Sequence, residues 1–240
     1  MIDSFLFFNE LDILEVRLNT LAPYVDRFVI AEATQTFTGI KKPLNFNKDR
    51  FKEFNITYLE IPPSKLLNWD FDAYSRKYLL DNIKDGDLEE IILLSDLDEI
   101  PDLTNYHGEE GIFELPLYYY YFNCFTGLTL RGVFAFKRKN INESCYDVEL
   151  RKKYKQCSKV VGTGWHFSTL NSVEDIKYKI EASSHTELNT DTIKDKVEEN
   201  KKNLFDLYKE GRKFRIQMPS GPKWLLENKE RYPHLWKKSA

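Results

Sequence analysis

Asp96, Asp98 and Glu99 stand together in the stretch EIILLSDLDEIP, residues 90–101, directly behind four apolar residues. Carboxylates that close raise the cost of one another's ionisation unless solvent, hydrogen bonds or a cation compensates. A hard divalent cation takes carboxylate oxygens and keeps positions for water and phosphate oxygens, so this trio could hold a diphosphate through a metal. A lone Asp-x-Asp is explained as well by Asp96 capping a turn while Asp98 and Glu99 face solvent. Here an apolar run precedes the carboxylates, a third acid joins them, and Ile100-Pro101 stops the segment. Those coincidences favour a ligand site. Alternate strand residues point to opposite faces, so Asp96 and Asp98 can converge only if the strand ends near Ser95 and turns.

The elements that must position these groups follow from periodicity. Ser4–Phe8, Arg27–Ala33, Ile56–Ile61 and Ile91–Leu94 read as four strands, the last carrying the acidic cluster. Leu11, Leu14, Val16, Leu18 and Leu21 have helical spacing and Pro23 stops them. Asn47–Phe54 is expected as a short helix, and Tyr74–Ile83 as a longer one broken by Gly86. Strand–helix alternation argues for an α/β fold with a mainly parallel central sheet, and ligands of such sheets bind beyond the carboxyl ends of the strands. After Pro101 the rhythm changes. Gly111–Phe122 and Leu128–Lys137 read as strands of a mixed C-terminal extension. Val173–Ala182 and Thr192–Tyr208 read as helices, and residues 221–240 as a docked helix plus a loop. One domain spanning 1–240 is expected, with one half at 1–101, a second at 102–190 and a helical tail at 191–240.

Bulk properties narrow the classes. The formal charge of −3 gives no net field for nucleic acid. The 14 tyrosines and 17 phenylalanines suit a ring-stacking surface or an aromatic core. Three cysteines, Cys124, Cys145 and Cys157, match neither a disulfide framework nor a zinc spacing, which points to a reducing compartment. No apolar run approaches the ~20 residues that span a bilayer. The amino terminus has no basic leader before its short apolar run. A soluble, cytoplasmic protein is therefore expected.

Four stretches carry a resemblance: FFNELDILEVRLNTL (7–21), YVDRFVIAEATQTFTGIKKPLNF (24–46), SDLDEIP (95–101) and GWHFS (164–168), with Trp69, Tyr74 and Arg76 between them. Together and in this order the chain resembles glycosyltransferase family 17, the family of the β-1,4-mannosyl-glycoprotein N-acetylglucosaminyltransferases. The resemblance implies a GT-A fold, with 1–101 as the nucleotide-sugar-binding half and 102–190 as the acceptor-side half, a UDP-sugar donor such as UDP-GlcNAc, a Mn²⁺ or Mg²⁺ ion, a glycan acceptor, and inversion at the anomeric carbon.

On that footing Asp98 is expected as the principal metal ligand, and Asp96 as a ligand of the ribose or of a metal-bound water. Glu99 is expected to orient a neighbour or touch the donor sugar. Asn9 and Glu10 follow the first strand and Glu32 ends the second, where a nucleotide pocket would lie. Glu10 can equally serve the helix dipole as an amino-terminal acid. Arg76 can meet Glu32, Asp96 or a phosphate. His166, in the Gly-Trp-His segment, is the expected histidine ligand of the metal, with His185 as its rival. Trp165 packs under the sugar or fills the core. An inverting transfer needs a general base. Glu187 is taken from a field that includes Glu181, Asp147 and Glu149. Two other classes compete. A nucleotidyltransferase would need a Gly-rich basic loop after the first strand, which FFNELD does not supply. A non-catalytic carbohydrate-binding relative would use Tyr118–Tyr121 and the tryptophans as platforms, and the intact acidic cluster speaks against it.

Overall fold

The structure is a computed structural model and describes residues 1–218 and 220–238. Four strands, β1 (Ile2–Phe7), β2 (Arg27–Ala33), β3 (Ile56–Ile61) and β4 (Ile91–Asp96), form a parallel block in the order β3-β2-β1-β4. The crossovers carry α1 (Leu11–Leu21) before β2 and α2 (Asn68–Asp81) before β4. Side chains alternate along β4. Ile91 and Leu93 enter the core on one face with Phe5, Leu14 and Leu18, while Ile92 and Leu94 enter the other with Val29, Phe71 and Leu79. A strand buried on both faces reads as an unbroken apolar run, which explains Ile-Ile-Leu-Leu.

From β4 the sheet continues as β7 (Cys124–Lys137), β6 (Gly111–Tyr119), β8 (Val160–Ser168) and β5 (Glu99–Pro101), with β9 (Arg215–Ile216) on β7. The parallel central block and the mixed extension after it are both as expected. β4–β7, β6–β7, β5–β8 and β7–β9 are antiparallel, and only β6–β8 is parallel in this half. β5 leaves β4 after two residues yet pairs with β8, so the path β4-β7-β6-β8-β5 returns on itself. The turn at Leu97–Asp98 closes that ring.

Helices α3 (Val148–Cys157), α4 (Val173–Ala182), α5 (Asp191–Asp195), α6 (Val197–Asn203) and α7 (Lys223–Glu227) complete the fold. Asn47–Phe54 forms turns rather than a helix, with the Asn47 side chain accepting the amides of Asp49 and Arg50 at its start. The long helix expected over 192–208 is two short ones, ended by Leu204 in the left-handed region at φ 63°. The tail is not purely helical, since it contributes β9; its Pro219, Ser239 and Ala240 lie outside the described residues. Among the described residues no helix is long and apolar enough to cross a membrane.

Candidate active site

The carboxylate turn is built from beneath. Arg17, on the apolar face of α1 and fully buried, pairs with Asp3 of β1 through Nε at 2.8 Å and Nη2 at 2.6 Å. Its Nη1 donates to the backbone carbonyls of Asp96 (2.8 Å), Leu97 (3.0 Å) and Glu99 (2.8 Å), and Nη2 also reaches Ser95 Oγ at 2.6 Å. One guanidinium thus gathers the carbonyls of the turn and bends the chain between β4 and β5. That bend is the convergence required of Asp96 and Asp98. Strand alternation no longer separates them, and both line one cavity.

The cavity, about 540 Å³, lies beyond the carboxyl ends of β1–β4 and under α2, α3 and α4. This is the size range of small-molecule sites. One end is apolar, with Ala33, Phe37, Ile61 and Phe71, and Trp69 at its rim; the other is charged. Asp98 is nearly buried, its side chain 12% exposed, with Oδ2 3.2 Å from Lys179 Nζ and Oδ1 3.5 Å from His166 Nε2. Burial works against its charge, but Lys179 and His166 outweigh that and hold it below the usual carboxylate range. Lys179 also meets Glu10 at 3.0 Å. Burial disfavours the ammonium, yet Glu10 and Asp98 together raise its pKa. Asp96 is 47% exposed at the side chain and is bonded by Arg76, which also pairs with Asp72 at 3.1 Å. Burial resists ionisation of Asp96 as well, and Arg76, Arg151 and Lys155 overcome it, so it too is held low.

His166 sits on β8 opposite Glu99 of β5, and the amide of Phe167 donates to the Asp98 carbonyl at 2.8 Å. Burial lowers the basicity of its imidazole, and the charge of Asp98 more than restores it, so its pKa is raised overall. Its Nδ1 is buried without a protein partner. Glu99 is buried beneath the turn, accepting the Asp96 amide at 3.1 Å and the Val133 amide at 3.5 Å. Two features of β7 make room for it. Val133 is a bulge residue with φ 47°, skipped between the pairs Ile112–Phe134 and Phe113–Gly132. At Gly132 any Cβ would overlap the Glu99 carboxylate.

The remaining expected residues separate. Glu10 and Arg76 line the cavity. Asn9 does not; its Oδ1 is buried without a partner. Glu32 is fully buried, and its carboxylate is committed to Lys42 (2.5 Å), the amides of Asn45 (2.7 Å) and Phe46 (3.0 Å) and the Tyr58 hydroxyl (2.9 Å). It orders the loop after β2 instead of offering oxygens to a ligand. Trp165 packs against the core. His185 stands at the cavity rim, edge-on to Trp69 at 4.6 Å, while His166 is the histidine at Asp98. Glu187 is not brought to the cavity wall. Its side chain is 63% exposed and holds His185 Nδ1 at 2.7 Å. Arg17, Asp3, Lys179 and the basic residues of α3 were not anticipated. For Arg17 the signal was present, a charge on the Ile13–Arg17–Leu21 face of an apolar helix.

A second groove, open to solvent, meets the first at Asp96, Lys155 and His166 and is otherwise lined by Glu99, Leu130, Arg131 and Gln156.

The sequence model of glycosyltransferase family 17 matches residues 1–237. The chain belongs to glycosyltransferase family 17. It is 27% identical over 124 residues to the β-1,4-mannosyl-glycoprotein 4-β-N-acetylglucosaminyltransferases of Homo sapiens and Rattus norvegicus, a match covering 46% of this chain. That match covers only 22% of each of those relatives, so the chain corresponds to a fraction of their length.

Proposed function

We propose that the chain is a metal-dependent, inverting glycosyltransferase of GT-A type, passing a sugar from a UDP-sugar, UDP-GlcNAc by preference, to a hydroxyl of a glycan. The observation that carries this reading is the two-ended cavity at the carboxyl edge of the parallel strands, apolar where a nucleoside would rest and charged where a diphosphate would. The relatives named above transfer N-acetylglucosamine, which favours that donor over a UDP-hexose.

Among the described residues no group of three or more carboxylate, histidine or thiol ligands is assembled, but Asp98 and His166 supply two ligands that suit a divalent ion. Asp98 Oδ1 and His166 Nε2 face each other at 3.5 Å, close to the ~3 Å between neighbouring ligands of an octahedral ion. These two would hold Mn²⁺ or Mg²⁺, with Asp96 reaching it directly or through water. Such an ion, when bound, supplies Lewis-acid stabilisation of the departing diphosphate. Lys179, held between Glu10 and Asp98, keeps a second positive charge beside the same position. Arg76 orients Asp96 toward the ribose side. An acceptor approaching through the open groove meets two carboxylates, Asp96 and Glu99. Asp96 is paired with the Arg76 guanidinium, which makes it a weak base, whereas Glu99 is hydrogen-bonded only by neutral backbone amides, so Glu99 is assigned as the group that takes the acceptor's proton.

Calorimetry with UDP, with and without Mn²⁺, and a hydrolysis screen of nucleotide sugars test this directly. Metal-dependent UDP binding and slow UDP-GlcNAc hydrolysis are expected. Glycan binding without any nucleotide binding would overturn the transferase in favour of a carbohydrate-binding module. Glu99→Gln is expected to keep donor hydrolysis and lose transfer, and unchanged transfer would remove Glu99 from its role.

A further inference from the structure

Helix α3 has an unusual construction. None of its residues is fully buried, only Tyr154 packs against the core, and Val148, Arg151, Lys152 and Lys155 line the cavity. Arg151 and Lys155 lie over the Phe134 ring, at 5.8 and 5.6 Å, but packing on one ring does not require that their neighbouring inward positions be basic rather than apolar. The helix is nevertheless fixed. Asp147 caps its start by accepting the Leu150 amide at 2.8 Å, Tyr154 lies against Phe134 at 5.3 Å, and Arg131 holds the carbonyls of Lys155 and Gln156 at 3.1 and 3.0 Å.

Arg151 is the residue whose bonding is incomplete. Its side chain is only 12% exposed, Nη1 meets Asp72 at 3.0 Å, and Nε is buried with no acceptor among the described residues. Asp72 is shared with Arg76 at 3.1 Å, and Arg76 in turn holds Asp96, so Arg151 has only a share of one carboxylate. Burial and the neighbouring charge of Arg76 lower the pKa of Arg151, outweighing Asp72, Asp96 and Glu99, which raise it. One turn along, Lys155 lies between the two grooves, with its closest carboxylate oxygen, Glu99 Oε1, at 3.9 Å. A buried donor without a partner costs stability unless a ligand satisfies it, and charge-assisted bonds to phosphate oxygens are among the strongest available.

We propose that α3 is a diphosphate grip, with Arg151 and Lys155 bonding the phosphate oxygens of the donor and making the cavity selective for nucleoside diphosphates over monophosphates. The nucleoside part of this proposal rests on the transferase reading; the diphosphate part does not. The test measures affinities for inorganic diphosphate, UDP and UMP at fixed Mn²⁺ in the intact chain. The unaltered protein should bind UDP at least about tenfold more tightly than UMP. Lys155→Met should weaken UDP and inorganic diphosphate by about tenfold and leave UMP within about twofold. Arg151→Met should weaken them further, and Arg151→Lys, which preserves the charge opposite Asp72, guards against loss of folding by recovering part of the affinity. Lys153→Met, at an exposed position of the same helix, should change nothing. Inorganic diphosphate binding that depends on Arg151 and Lys155 without UDP binding would uphold the grip and sink the nucleotide reading. UDP binding no tighter than UMP, or untouched by both substitutions, would overturn the grip while leaving the transferase standing.

Discussion

Two arginines flank the carboxylate turn, and they are treated oppositely. Arg17, below it, has every N–H engaged by Asp3, Ser95 and three backbone carbonyls. Arg151, above it, is nearly as buried but leaves Nε without a partner among the described residues and shares its one carboxylate with Arg76. The same contrast separates Glu32, saturated by four donors, from Asp98, which meets only Lys179 and His166 at its side chain. Saturated charges build the frame; incompletely satisfied ones face the cavity. A buried polar group is tolerated unsatisfied in few places, and sites that await a ligand are among them.

Removing Arg17 should have the largest effect. Arg17→Met strands Asp3 in the core and should cost about 3–5 kcal/mol of unfolding free energy in a urea titration. Adding Asp3→Asn should return part of that loss. A cost under about 1 kcal/mol would mean that this pair is no more structural than a surface bridge.

Asp98→Asn should do the reverse, sparing the fold while reducing transfer by about 10²–10³-fold in a metal-titrated assay. The same variant sharpens the comparison through pH. The pKa of Asp98 is depressed by Lys179 and His166 against the pull of burial. Its contribution to stability is therefore present above the ordinary carboxylate pKa and lost as pH falls through the lower folded value. The acid limb of the stability profile should flatten in Asp98→Asn, and an unchanged limb would show that the pairing carries no linkage.

Glu187→Gln should give the smallest effect, within about ±0.5 kcal/mol of stability and with donor hydrolysis unaltered, because the side chain is exposed and bonded only to His185. A transfer rate lowered more than about tenfold would restore Glu187 as the acceptor's base and displace Glu99.

The parallel block was legible from the sequence because each of its strands is a short apolar run between turn signals, and the acidic cluster was legible because carboxylates seldom follow such a run. Other features were hidden for physical reasons. β8 carries Gly162 and Gly164, which weaken its strand signal, yet Gly164 is required because a Cβ there would strike the Ile100 carbonyl of β5. α3 has no apolar stripe for periodicity to detect, since its inner face serves the cavity. Glu32 was placed correctly at a strand end, but its saturation depends on Lys42 and Tyr58, contacts that come from the loop after β2 and from β3. Spacing along the chain shows where a charge begins; only the fold shows what meets it.

The ring closed at Leu97–Asp98 has a consequence for motion. Strands β4 and β5 belong to one closed circuit, and Arg17 ties their junction to β1. The turn cannot fray from a free end as an ordinary surface loop does. Opening it requires breaking the β5–β8 ladder or withdrawing α1. In hydrogen exchange the amides of Asp96 and Phe167 should therefore report the deepest, slowest opening of the molecule, although both border a cavity. The carboxylates at the mouth of the site should then be held by the last part of the protein to unfold.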